Sequence, residues 1–465
     1  MTVNVKIPVA LALLFFCAPY SRGQQVLTMR QAIELGVKNY GSIKSRTYLV
    51  ESSRNSLSQA RRDYIPNVVL SAQQVYGTVN GQNGPLYGFG GYGVASSGLP
   101  LPDQNWNAGF GALYLAHVNW EVFSFGRTSG RIRVARSLQD IAETDLAQEE
   151  FQHQVRVAAA YLNALGSQRL RSTQQKNLQR SQIIQRDIVA RAKGGLIAGV
   201  DSAQANAEVA NARIALLRAA DVQQEQEKNL AFLVGISSDQ LVLDTTFVVD
   251  TPALLETDSA HRGIHPTIRY YQDRFSLSVE QIKLGRASYF PSINVVGIFQ
   301  TRASGFAQTY AQDQSRFSGS YSSGIKPTIS NYLAGVGLVW NLTTIARTNA
   351  QVKSLRYSSL AAEADFQLAR DQLNTQSQIA DSKMQSAFQI RAQAPVQVKS
   401  ANDAYVQRSA LYKNGLTNLV DVTQSLYTLN RAESERDLAF INMWQALLLK
   451  AAADGDLGVF TNQLR

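Results

Sequence analysis

The chain has 465 residues, 45% hydrophobic and 17% charged, a balance that excludes an intrinsically disordered or low-complexity protein. Its formal charge of +10 comes from 45 lysines and arginines against 35 acidic residues. The arginines are scattered along candidate helices, as at Arg171, Arg180, Arg186 and Arg191, so the reading is a solvated basic surface without a nucleic-acid partner.

The N-terminus reads as an export signal over residues 1–23. Lys6 precedes an apolar run over 7–18, and Ser21-Arg22-Gly23 places small residues at −3 and −1 of a cut before Gln24. The only cysteine, Cys17, lies inside this segment behind Phe15-Phe16, which does not suit a lipoprotein cleavage site. A mature chain without cysteine, disulfide or lipid anchor is expected. Beyond the signal no apolar stretch approaches the ~18 residues of a membrane-spanning helix, so any crossing of a membrane must be made by strands.

Two strand pairs meet that demand. Over 110–122 the apolar residues Phe110, Ala112, Tyr114, Ala116, Val118, Trp120 and Val122 alternate with Gly111, His117, Asn119 and Glu121 among others. Over 331–342 the pattern returns as Tyr332, Ala334, Val336, Leu338, Trp340 and Leu342 against Asn331, Gly335, Gly337 and Asn341. Upstream partners run over about 66–78, with Val68, Leu70, Ala72 and Tyr76 in phase, and about 291–303, with Ile293, Val295 and Phe299 in phase. Each has about the ~9–11 residues of a tilted membrane strand. The connecting segments, 80–105 and 304–330, are rich in Gly with Tyr or Ser and read as loops. Four strands cannot close a barrel, which takes about eight, and an open edge is not tolerated in hydrocarbon, so several chains must share one.

Long helices fill the remainder. The proline-free run 127–193 carries Phe151, Val155, Ala158, Leu162 and Leu165 at heptad-like spacing and predicts a helix on the order of 100 Å long. A return helix over 201–233 ends at Gly235, with Ala203, Ala207, Ala210 and Ala212 thinning its faces for close neighbours. The scheme recurs at 347–413, where Pro395 should kink or break the helix, and at 421–453. The turns between the helices match: Gly195-Leu196-Ile197-Ala198-Gly199-Val200-Asp201 and Gly415-Leu416-Thr417-Asn418-Leu419-Val420-Asp421. Each glycine suits the left-handed residue that ends a helix, and each aspartate suits the cap that begins the next.

Enzyme signatures are weak. His261 and His265 have i, i+4 spacing without the glutamate of a zinc protease, so His265 reads as structural or surface. Gly88-Phe89-Gly90-Gly91 opens no helix and no Gly-Lys-Ser/Thr loop occurs, so no catalytic, cofactor or metal site is assigned.

The order signal, strand pair, helical hairpin, then strand pair and hairpin again resembles the TolC-type outer-membrane efflux proteins. Its carriers are Tyr64-Ile65-Pro66 and Tyr289-Phe290-Pro291 at the strand entrances, the Trp120 and Trp340 strands leading to Arg127-Thr128 and Arg347-Thr348, Val157-Ala158-Ala159-Ala160-Tyr161-Leu162, and the two turns. The resemblance implies an α+β membrane protein of two tandem repeats, 24–253 and 254–465. It implies a homotrimer in which each chain gives four strands to a shared 12-stranded β-barrel in outer-membrane lipid, with helical hairpins forming a periplasmic α-barrel. It further implies an exit duct for a tripartite efflux or type I secretion system, working with a periplasmic adaptor and an inner-membrane pump of RND or ABC type. A periplasmic coiled-coil scaffold and a solute-admitting porin remain as alternatives.

By the same resemblance Gly195, Leu196, Val200, Gly415, Leu416 and Val420 mark adaptor-facing tips, and Asp201, Asp421 and Tyr412 a periplasmic gate. Thr417 stands where the family's latch arginine is expected, and Gln424 where some members carry another constriction aspartate. Whether the two aspartates line the pore or only cap helices is left open by the residues; three copies of Asp421 around an axis would favour cations.

Overall fold

The computed structural model describes residues 26–81, 98–237, 242–245, 252 and 264–464. The export segment with Cys17, the Gly88–Gly91 run and His261 lie outside them. The first elements are β1 (Val26–Leu27), α1 (Met29–Asn39), α2 (Gly41–Arg62), β2 (Asn67–Thr78) and β3 (Ala108–Phe123), followed by α3 (Arg127–Lys193), α4 (Gly199–Val234) and β4 (Val242–Leu243). Then come α5 (Pro266–Ala287), β5 (Ser292–Ser304), α6 (Tyr321–Ile325), β6 (Ile329–Val339), α7 (Thr344–Lys413), α8 (Leu419–Asp454) and α9 (Gly458–Thr461). They fall into two compact units: Glu51–Ile141 with Asp273–Glu363, and Met1–Val50 with Ala142–Gln272 and Ala364–Arg465.

Within the first of these, the alternating stretches form one antiparallel sheet in the order β2-β3-β5-β6. Residues directly opposite in such a ladder share a face. Leu70, Ala116, Phe299 and Tyr332 therefore make one row across all four strands, and the next row, on the opposite face, is Ser71, Leu115, Gln300 and Asn331. The register thus gathers the apolar phases of four separate stretches onto one face. Nearly all of β2 and β6 is exposed, and each has one edge without a partner strand among the described residues.

The residues at the strand entrances and exits meet. Trp120 Nε1 donates to the Tyr64 carbonyl at 2.8 Å, and Trp340 Nε1 donates to the Tyr289 carbonyl at 3.1 Å. Each indole so satisfies a backbone acceptor just before the proline that starts the neighbouring strand. At the exit of β3 a register shift falls between Glu121 and Phe123, and Glu121 accepts from Arg127 and, at 3.2 Å, from Thr128 Oγ1.

The other unit is helical. Hydrogen bonds from Gln168 to Glu227 and from Gln185 to Asn206 run α4 antiparallel along α3. Bonds from Thr173 to Asp437 and from Arg180 to Glu433 do the same for α8 on α3, and Lys450 to Asp381 joins α8 to α7. The main core collects Val157, Tyr161, Leu162 and Leu165 of α3, Leu230 and Val234 of α4, and Ile441, Trp444 and Leu447 of α8. Of the heptad-like positions, Ala158, Leu162 and Leu165 are fully buried, while Phe151 and Val155 are half-buried against that core. The Tyr161 hydroxyl donates to the Leu27 carbonyl at 2.7 Å and accepts from the Asp244 amide at 2.9 Å, fastening the two-stranded sheet of β1 and β4. Burial pushes this phenol's pKa upward.

Two expectations are sharpened. Pro395 does not break its helix, because α7 is helical from Thr344 to Lys413. The residues around it pack on α8, with Ala394 buried and the Arg391 guanidinium 4.5 Å from the Phe440 ring, and that packing holds the chain through the missing hydrogen bond. On α4, Ala205, Val209 and Ala212 turn inward while Ala203, Ala207 and Ala210 are exposed.

Candidate functional site at the hairpin tips

Both long helices stop by the same device. Gly195 and Gly415 have φ of +71° and +74°, a conformation that glycine adopts without steric cost. Gly195 N–H donates to the Ala192 carbonyl and Leu196 N–H to that of Arg191, both at 3.0 Å. Gly415 N–H donates to Tyr412 at 3.0 Å and Leu416 N–H to Leu411 at 2.9 Å. These crossed bonds are the Schellman arrangement, which satisfies carbonyls left over at a helix end.

The helix starts correct the capping reading. The N-cap of α4 is Ala198, which has no side-chain cap, and that of α8 is Asn418, whose side chain accepts from the Asp421 amide at 2.9 Å. Asp201 and Asp421 sit one turn in, as the acidic residues of their first turns, where the N-terminal dipole favours negative charge. Their carboxylates are thereby left for other partners. The signal for this was legible: Asn418 lies three residues before Asp421, the spacing of an N-cap and its N3 residue.

Those partners bring the two tips together. Tyr412, at the end of α7, donates its hydroxyl to Asp201 Oδ2 on α4 at 3.2 Å. Arg191 of α3 reaches the other way, with Nη1 donating to the Lys413 carbonyl at 3.3 Å and Nε 3.4 Å from Asp187 Oδ2. Asp421 Oδ2 accepts from Thr417 Oγ1, and Arg408 Nη1 lies 3.4 Å away. Beneath this layer Ile188, Ala205, Leu419 and Val422 form a buried cluster, with Ile197 and Tyr412 packed against it. Burial first, and then the Asp201 carboxylate, push the Tyr412 pKa up to about 12, so the phenol remains a donor throughout the physiological range.

The predicted site residues divide into three groups. Tyr412 with Asp201, and Thr417 with Asp421, are joined by the bonds above. Gln424 is exposed, a turn further along α8, and enters none of them. Leu196, Val200, Leu416 and Val420 are 77%, 68%, 72% and 56% exposed, forming an apolar rim outside the bonded layer. Sequence reasoning missed Arg191, Asp187 and Arg408; Arg191 alone carried a signal, as a basic residue in the last turn of its long helix. His265 is structural: its Nε2 lies 3.1 Å from the Ala452 carbonyl and its Nδ1 accepts from the Thr267 amide. Among the described residues no His, Cys, Asp and Glu group suits a metal ion, and no helix is long and apolar enough to cross a membrane.

The architecture recurs in solved outer-membrane channels. VceC from Vibrio cholerae is 17% identical with a TM-score of 0.74, covering 92% of this chain and 96% of that one. CmeC from Campylobacter jejuni is 14% identical with a TM-score of 0.75, over 92% and 85%. CusC is 14% identical with a TM-score of 0.74, over 98% and 99%. No curated protein matches in sequence. The fold is thus that of an outer-membrane channel, and the sequence model of the outer membrane efflux protein family matches residues 38–236 and 264–447. The chain belongs to that family, whose members are channel proteins of the outer membrane with a helical extension in the periplasm.

Proposed function

We propose that this chain is the exit duct of a tripartite efflux or type I secretion system, receiving substrate from an inner-membrane pump through a periplasmic adaptor. Three copies close a 12-stranded barrel, the edge of β2 in one copy meeting that of β6 in the next. The observation that supports this reading is the open sheet: an apolar face, Leu70 to Tyr332, bounded by two edges that have no partner strand among the described residues. Hydrocarbon accepts such a surface only once those edges are paired. A soluble periplasmic scaffold has no use for it.

In this reading residues 24–253 and 254–465 are two repeats of one unit, and their tips form the periplasmic mouth. Tyr412, Asp201, Thr417 and Asp421 hold the mouth narrow, Gln424 lines it, and the apolar rim with Gly195 and Gly415 meets the adaptor. The test is a deletion strain together with native mass measurement of the purified protein. Loss of export of the cognate solutes and a trimeric mass are expected. Loss of uptake instead would make the protein a porin, and a monomer leaving with the soluble periplasm would make it a scaffold.

A further inference from the structure

The segment joining β5 to β6 builds a cavity that the duct reading does not use. It has a volume of about 880 Å³ and is lined by, among others, Arg302, Phe306, Tyr310, Arg316, Phe317 and Asn331. Its body is aromatic. Phe306 and Tyr310 meet edge to face at 4.9 Å, and Phe317 stacks on Phe306 at 6.0 Å. Its charge is positive: residues 302–328 contain Arg302, Arg316 and Lys326 against one acidic residue, Asp313. Asp313 is engaged by the Ser315 amide and hydroxyl at 3.1 and 2.6 Å, and Arg316 Nη1 is held by Thr309 Oγ1 at 3.1 Å.

One atom is out of keeping with a simple loop core. Tyr310 is 4% exposed, yet its hydroxyl is buried without a hydrogen-bond partner among the described residues. A core needing only an aromatic would be better served by phenylalanine, since a buried unpaired hydroxyl is costly. A tyrosine in the aromatic wall of a cavity that two arginines also line is instead suited to an anion carried on a flat apolar body.

The sheet register decides from which side such a ligand comes. Arg302 lies on the same face as Gln300 and its neighbour Asn331, opposite to the apolar face of Phe299 and Tyr332. A lipid headgroup approaching along the apolar face would not meet it. The geometry points to a binding site for soluble aromatic anions, carboxylates or sulfonates, at the outer end of the sheet on its polar face. Arg302 and Arg316 take the charge, Phe306 and Phe317 the ring, and Tyr310 donates to the anion. The placement in the lumen rests on the barrel reading; the binding itself does not.

The test uses naphthalene-2-sulfonate on the purified full-length protein, with affinity read by isothermal titration and channel block read in planar bilayers. Saturable binding is expected, weakened about tenfold by Arg302→Gln or Arg316→Gln and several-fold by Tyr310→Phe, the scale of a lost charged or neutral hydrogen bond. Inorganic phosphate, which lacks the ring, and 2-naphthalenemethanol, which lacks the charge, should each bind at least about tenfold more weakly. Equal affinity for either one, or no change in the arginine variants, overturns the site. Binding that responds to the variants but produces no block leaves the site standing and overturns its placement in a conducting lumen.

Discussion

A hydrogen bond to a charged group is worth about 1.5–3 kcal/mol, so the single Tyr412–Asp201 contact is suited to the proposed closure, which must also open. Its pH dependence follows from the raised Tyr412 pKa of about 12, against about 10 for an unperturbed tyrosine. The folded tip keeps its proton where an unfolded chain has lost it, so the contribution is intact below about pH 10 and is lost as pH rises through about 12. Bilayer conductance of the unmodified protein should therefore increase between those values. Tyr412→Phe should conduct more at neutral pH and show no such rise; wild-type conductance at neutral pH would remove the bond from the proposed gate. Asp421 belongs to the same scale. Its carboxylate is not consumed as a helix cap, since Asn418 does that work, so in the proposed trimer three copies would be available as an acidic ring. Asp421→Asn should lower cation selectivity and relieve block by trivalent cations, and unchanged reversal potentials would count against a ring.

At the scale of elements, the sequence was most legible where patterns were long. The proline-free run beginning at Arg127 ends in the structure at Lys193, and the alternation over 331–342 appears as β6 as far as Val339, with Trp340 and Leu342 beyond the strand. The Trp and Tyr-x-Pro motifs could be singled out but not connected, because a hydrogen bond from an indole to a carbonyl more than fifty positions away leaves no periodic trace. The two-residue strands β1 and β4 were invisible for the opposite reason: they have no room for a period, and the Tyr161 hydroxyl that bonds the Leu27 carbonyl and the Asp244 amide lies far away in sequence. Of the two outcomes expected at Pro395, a kink or a break, the break does not occur, because a local rule meets tertiary packing that overrides it. A proline inside a helix costs about 3 kcal/mol, and the packing offsets that cost without removing it. Pro395→Ala should then raise the midpoint of heat-induced unfolding, by an amount corresponding to up to about 3 kcal/mol. A lowered midpoint would mean that α7 depends on the proline for its path.

For the whole molecule the decisive property of the proposed barrel is which face of the sheet meets lipid, and the apolar candidate was half legible. The sequence gives each strand its own alternation, but only the register shows that the four apolar phases coincide in rows such as Leu70, Ala116, Phe299 and Tyr332. Adjacent residues of β2 therefore make a sharp comparison, since Leu70 and Ser71 lie on opposite faces at nearly the same depth. An arginine on the lipid face near the bilayer midplane costs about 2–4 kcal/mol, whereas one on the lumen face stays hydrated and changes selectivity instead. Leu70→Arg should reduce the amount of assembled protein in the outer membrane, read as the heat-resistant oligomer on gels. Ser71→Arg should assemble normally and shift the channel towards anions. If the two behave alike, or Ser71→Arg is the one that fails to assemble, the shared barrel must be given up or turned inside out, and with it the role of the unpaired β2 and β6 edges.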